Sequence, residues 1–148
     1  MNFFRKASGP ILAVFLFLSF CSGPQASAQD ANVRAATKAA QDWLALVDSG
    51  NYGQSWADGS SFLQGRVTKQ QWGQMMTQTR SPLGKLQSRQ VKSATEGVPP
   101  GAPPGQYVTI QCNTRFSTVG DTVETLFVVL ENGKWKVAGY FVKPPNKQ

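Results

Sequence analysis

The chain has 148 residues, 41% of them hydrophobic, and its 15 basic and 8 acidic side chains give a formal charge of +7. It contains no histidine, which removes the commonest general base and metal ligand and excludes every Ser-His or Cys-His nucleophile pair. A zinc site would have to be built from carboxylates and thiols alone, so no metal and no other cofactor is expected.

The first 28 residues carry the three parts of an export signal: a positive start at Arg5 and Lys6, an apolar core from Ile11 to Phe20, and the small-residue cleavage site Ala26-Ser27-Ala28. The apolar core falls short of the roughly 20 residues that span a bilayer. The segment 1–28 is therefore expected to be removed, leaving 29–148 as one domain in the periplasm or outside the cell. Leu18-Ser19-Phe20-Cys21 offers a second reading, a lipoprotein signal with lipid on Cys21, although that signal wants a small residue where Phe20 stands. Cleavage after Ala28 takes Arg5, Lys6 and Cys21 with it, which lowers the charge to +5 and leaves Cys112 as the only cysteine. An intrachain disulfide is then excluded. The remaining basic residues are scattered, with Arg80, Lys85, Arg89 and Lys92 about one strand and Lys134, Lys136, Lys143 and Lys147 toward the C-terminus. No aromatic-basic stacking pattern accompanies them, so a nucleic-acid partner is not expected, while an anionic envelope component is a candidate.

Asp30 is placed to cap a helix that runs to about Asp48, with Gly50 as its stop. Val33, Ala36, Ala40, Trp43, Leu44 and Val47 recur at helical spacing and mark its buried stripe, while Asp30, Arg34, Lys38 and Asp42 form a solvated edge. Asn51 opens a short helical piece holding Tyr52 and Trp56, interrupted by Gly59 and Gly65. Thr68 and Gln71 form a capping box for a third helix, expected to bury Trp72, Met75, Met76 and Thr79 before Pro82 ends it.

From Leu83 the period alternates, which predicts strands. Leu86–Thr95 is the least apolar and is expected at an edge or exposed on one face. Residues 97–105, glycine- and proline-rich, cannot pair as a central strand and read as a stiff loop, or as a segment for a proline-recognising partner. Gln106–Phe116, Asp121–Glu131 and Lys134–Lys143 follow, the last two joined by a two-residue turn at Asn132-Gly133. That turn pairs Leu130 with Trp135, Val128 with Val137, Leu126 with Gly139 and Glu124 with Phe141 on the face expected to meet the helices. Lys136, Tyr140, Thr125 and Phe127 fall on the other. A three-residue loop Thr118-Val119-Gly120 with Gly120 left-handed sets Thr114 beside Glu124, Cys112 beside Leu126 and Ile110 beside Val128, whereas a four-residue loop would turn Glu124 outward.

The expected fold is α+β, with N-terminal helices packed on one face of a curved four-stranded antiparallel sheet. Several segments carry a family resemblance: Trp43-Leu44-Ala45-Leu46-Val47-Asp48-Ser49-Gly50-Asn51-Tyr52 with Ser55-Trp56, Pro82-Leu83-Gly84 with Arg89, and Pro100-Gly101-Ala102-Pro103 before Tyr107-Val108. Val123-Glu124-Thr125 leading into Asn132-Gly133-Lys134-Trp135-Lys136-Val137-Ala138-Gly139-Tyr140 completes the set. On these the chain resembles the domain-of-unknown-function 4019 family, within the nuclear transport factor 2-like cone superfamily. The resemblance implies an exported bacterial protein of unassigned role, and no catalytic residue can be carried over. The wider superfamily mixes enzymes such as ketosteroid isomerases and polyketide cyclases with binding and dimerisation modules, and fold does not choose among them.

Trp43, Trp56, Trp72, Glu124, Trp135 and Phe141 are the candidates for lining a small hydrophobic cone pocket. Glu124 is the one acid on the inner face, either the base of an isomerase- or cyclase-type enzyme or a structural partner of Arg89 or another basic residue; the absence of histidine favours the second. Cys112 reads as a core residue. Phe127, Val129, Ala138 and Tyr140 on the outer face suit a homodimer, unless the N-terminal helix or the proline loop covers them. The expectation is a non-enzymatic envelope binding or accessory module.

Overall fold

A computed structural model describes residues 27–144. The expected export signal, with Cys21, lies outside the described residues except for its last two positions. Helix α1 (Ala28–Asp48) is capped by Ser27 rather than by Asp30: the Ser27 hydroxyl accepts from the Asp30 backbone N–H at 3.3 Å. Asp30 instead sits in the first turn, where the helix dipole favours an acid. Ala36, Ala40, Trp43, Leu44 and Val47 form the buried stripe as the spacing predicts.

Asn51 caps α2 (Tyr52–Ala57), and Ser60 caps a further short helix, α3 (Ser61–Arg66), where the glycines suggested only an interruption. Helix α4 (Lys69–Arg80) opens with the predicted Thr68–Gln71 capping box. Its buried stripe is Trp72, Met76 and Arg80; Met75, 49% exposed, and Thr79, also exposed, stand outside it, contrary to the expectation for both. Positions 72, 76 and 80 lie four apart on one face, and the arginine continues the line because it has charged partners inside.

Four antiparallel strands follow in the order β1-β2-β3-β4: β1 (Leu86–Glu96), β2 (Tyr107–Phe116), β3 (Gly120–Glu131) and β4 (Lys134–Lys143). The fold is thus α+β, helices first and then a curved sheet. Edge strand β1 is the most exposed. Val108, Ile110, Cys112, Leu126, Val128 and Val137 face the helices and pack with Ala36, Ala40, Leu44, Trp72 and Met76 into the main core.

The β3–β4 turn has Asn132 at φ 50° and Gly133 at φ 75°, as an Asn-Gly hairpin requires. Gly133→Val would force a β-branched side chain to positive φ, so melting should show a loss of roughly 2 kcal/mol. An unchanged melting temperature would mean that the turn does not hold the hairpin.

Leu130 pairs with Trp135 and Val128 with Val137 as predicted, but Phe127 then pairs with Gly139, so Ala138 is an extra residue on β4. A bulge of one residue reverses every later side chain. Leu126 therefore lies beside Tyr140, and Glu124 beside Val142, in place of the expected Gly139 and Phe141. Tyr140 turns inward and Phe141 outward, the reverse of the expectation for both. The β2–β3 register also differs. Its loop is Ser117-Thr118-Val119, with Gly120 at φ 75° opening β3, and pairs Thr114 with Thr122, Cys112 with Glu124 and Ile110 with Leu126. A two-residue slip leaves every side chain on its face, so Glu124 still points inward.

On the outer face Tyr107, Val129 and Ala138 form a second apolar cluster, with Phe62 of α3 and Ala102 of the proline loop packed on it. Helix α3 lies along β4, sending Leu63 into the main core and Phe62 to the outer cluster. The Ser60 N–H donates to the Val137 carbonyl at 2.9 Å, and the Glu131 carboxylate accepts from the Ser61 N–H and hydroxyl.

Candidate functional site

The inward carboxylate is the centre of a closed charge network. Glu124 is 0% exposed and accepts five hydrogen bonds. Its Oε2 receives Arg89 Nε at 2.6 Å and the Thr114 hydroxyl at 2.5 Å. Its Oε1 receives the Tyr140 hydroxyl at 2.5 Å, Arg80 Nη1 at 3.2 Å and Arg89 Nη2 at 3.2 Å. Both arginines also reach the carboxylate of Asp48, Arg80 Nη2 at 2.6 Å and Arg89 Nη1 at 2.7 Å. Two acids and two guanidinium groups thus balance within one cluster, and Arg80 further stacks on Phe116, its Cζ 4.6 Å from the ring centroid.

Each member arrives from a different element. Asp48 is the last residue of α1, Arg80 the last of α4, Arg89 comes from β1, Thr114 from β2, Glu124 from β3 and Tyr140 from β4. Arg89 is the partner expected from sequence; Arg80 and Asp48 were missed. Two signals could have found them. Arg80 extends the Trp72–Met76 spacing, and Asp48 stands in the last turn of a helix, where the dipole disfavours an acid unless a cation answers it.

The electrostatics follow from this packing. Burial works against the charge of Arg89, yet hydrogen bonds and charge from Asp48 and Glu124 outweigh it and raise its pKa. Burial, then the Glu124 charge, raises the pKa of the Tyr140 hydroxyl. Burial, again followed by Glu124, raises that of the Cys112 thiol, which is 1% exposed. A carboxylate whose oxygens already take five donors has no lone pair aimed at a substrate, and a buried thiol held protonated is a poor nucleophile. Among the described residues no three His, Cys, Asp or Glu side chains gather as a metal site.

The predicted aromatic candidates divide. Trp43 and Trp72 are buried, 6.0 Å apart between ring centroids, and Trp43 lies 5.5 Å from Tyr140. Their indole N–H groups both bond to fully buried Ser55, Trp43 to its carbonyl at 2.8 Å and Trp72 to its hydroxyl at 3.0 Å. Trp56 and Trp135 are half-buried against the same core, and the Trp56 N–H reaches the Val67 carbonyl at 2.9 Å. Trp43, Trp56 and Trp72 therefore pack with their polar ends satisfied, and Trp135 packs against the edge of the same core. Phe141, the fifth, is separated from them by the bulge and is 51% exposed on the outer face.

A cleft of about 360 Å³ opens on that outer face. Its floor is Tyr107, Phe127, Ala138 and Phe141 from the sheet; its walls are Pro99 and Ala102 of the proline loop and Phe62 with Arg66 of α3. Phe127 and Phe141 meet edge to face with centroids 5.8 Å apart, and both crowd over Gly139. The proline loop thus covers part of the face that the sequence offered for self-association, and leaves the Phe127–Phe141 end open.

A family model described as "Protein of unknown function (DUF4019)" matches residues 39–140. No curated protein matches the chain.

Proposed function

The chain belongs to that family of unknown function, and from this footing we propose that it is a non-enzymatic binding or accessory module of the bacterial envelope, taking small apolar or amphipathic ligands in the outer cleft. The observation that carries the reading is the state of Glu124. The one acid on the inner face is enclosed by Arg80, Arg89, Thr114 and Tyr140, so it cannot serve as a free base. Concave, mostly apolar surface of a few hundred cubic ångströms is the usual form of a small-molecule site, and here it lies on the other side of the sheet. Export rests on the N-terminal signal pattern over 1–28, with release after Ala28 preferred to lipidation at Cys21. Helices packed on a curved antiparallel sheet support membership of the nuclear transport factor 2-like cones.

The test is binding of the uncharged fluorophore N-phenyl-1-naphthylamine to the purified protein. A saturable gain in fluorescence that Phe141→Ala weakens is expected. No saturable binding would overturn the reading, as would turnover of a steroid enone probe that Glu124→Gln abolishes, which would establish an acid–base enzyme instead.

A further inference from the structure

We infer that the outer cleft takes a small amphipathic anion, its apolar body lying over Phe127 and Phe141 and its carboxylate on Arg66. The inference rests on the binding-module reading and gives that site its ligand class.

Arg66 is the only charged residue among those lining the cleft. Its guanidinium is held over the Phe62 ring, Cζ 4.8 Å from the centroid, so it is fixed at the cleft wall instead of sweeping through solvent. Every other arginine that forms an ion pair here does so with Asp48, Glu124 or Asp121; Arg66 has no such partner among the described residues. A planar guanidinium with free donors beside an aromatic floor matches a carboxylate, which it can meet through two parallel hydrogen bonds.

A second polar group points the same way. Tyr107 is 4% exposed and lines the cleft, yet its hydroxyl makes no hydrogen bond to protein among the described residues and remains accessible. Glu131, the acid whose charge it feels, is already bound by Ser61. The ring is buried while its hydroxyl keeps access to solvent and has no protein partner, which leaves a polar position at the cleft for a ligand oxygen or a bridging water. The remaining surface is apolar, and Phe141 at 51% exposure with half-buried Phe127 forms an aromatic pair that a ligand body can cover. A cationic ligand would meet Arg66 as a like charge, and an uncharged one gains nothing from the guanidinium and binds through its apolar body alone.

The test compares 4-phenylbutyrate with 4-phenylbutan-1-ol, which keeps the body and removes the charge, by ¹H–¹⁵N NMR titration of the purified protein. The acid should bind saturably, with the largest shifts at Ala102, Phe127, Gly139 and Phe141, and several-fold more tightly than the alcohol. Arg66→Gln should weaken the acid about fivefold, as loss of one solvent-accessible charged contact does, and leave the alcohol unchanged. Arg66 is exposed at a helix end, so this variant should keep the wild-type melting temperature, which serves as the folding control. Phe141→Ala should weaken both probes alike. Equal affinity for acid and alcohol, unmoved by Arg66→Gln, would overturn the anionic ligand while leaving the binding module standing. Shifts confined to the helix-facing side of the sheet, or no saturation with either probe, would overturn the site. So would sedimentation showing a dimer that Phe141→Ala dissociates and that neither probe enters, because the occupant would then be a second copy of this chain.

Discussion

Glu124→Gln should lower the unfolding free energy by about 3 kcal/mol, the scale at which removing one member of a buried ion cluster acts. The substitution is nearly isosteric, so the effect comes from charge and hydrogen-bond polarity. Five donors converge on the two carboxylate oxygens. An amide offers one acceptor oxygen and one NH₂, and whichever way it turns, the NH₂ faces arginine or hydroxyl donors. Arg80 and Arg89, 7% and 14% exposed, then share only Asp48 and carry one uncompensated positive charge. In a chain of this size the loss should appear as a fall of roughly 10 °C in melting temperature, with a matching fall in urea midpoint. A variant that melts with the wild type would show that the cluster contributes nothing net to the fold, and would reopen Glu124 as a group held for chemistry.

Trp43→Ala should cost about 4 kcal/mol, within the range for truncating a buried aromatic residue. Trp43 is 4% exposed and stands between Trp72 and Tyr140, so its removal opens a cavity where α1 meets both α4 and the sheet. It also strands the Ser55 carbonyl, which the indole N–H satisfies at 2.8 Å in a residue with no exposed surface. Trp43→Phe would refill most of the volume but not that bond, and should recover more than half of the loss. Chemical denaturation of the pair separates packing from polar satisfaction; equal losses for alanine and phenylalanine would place the whole effect in the hydrogen bond.

These two residues also show which parts of the molecule are legible from sequence. The stripe that holds Trp43 is periodic from Ala36 to Val47 of one helix, and a two-residue Asn-Gly turn has few geometries, so α1, the hairpin and the pairs next to it follow from pattern alone. The bulge at Ala138 does not. One extra residue on one strand leaves both flanking segments alternating normally, so the pattern reads continuously through it while the faces exchange. That is why Tyr140 and Phe141 changed places and why a residue expected in an interior pocket lies in the outer cleft. The β2–β3 slip had no such consequence, because it was even. Helix α3 was hidden by Gly65, although Ser60 three residues before Leu63 is a cap. For the charge network, Arg89 and Glu124 were legible as strand residues facing one side. Arg80 and Asp48 sit at helix ends that look solvated until the four helices and the sheet are assembled.

The position of α3 along β4 bears on how this protein behaves when crowded. A four-stranded open sheet has two rims, and an uncovered rim is a template on which another chain can add a strand. At β4 that template is interrupted: the Val137 carbonyl is already taken by the Ser60 N–H, and Glu131 clamps the start of α3 beside it. At the opposite rim β1 is irregular at two places, between Leu86 and Ser88 and between Val91 and Ser93, and carries Arg89 and Lys92. A straight incoming strand would find no continuous ladder at either rim. Among the described residues the molecule is therefore guarded at both rims against runaway strand-by-strand polymerisation, by a helix cap on one side and by broken pairing on the other.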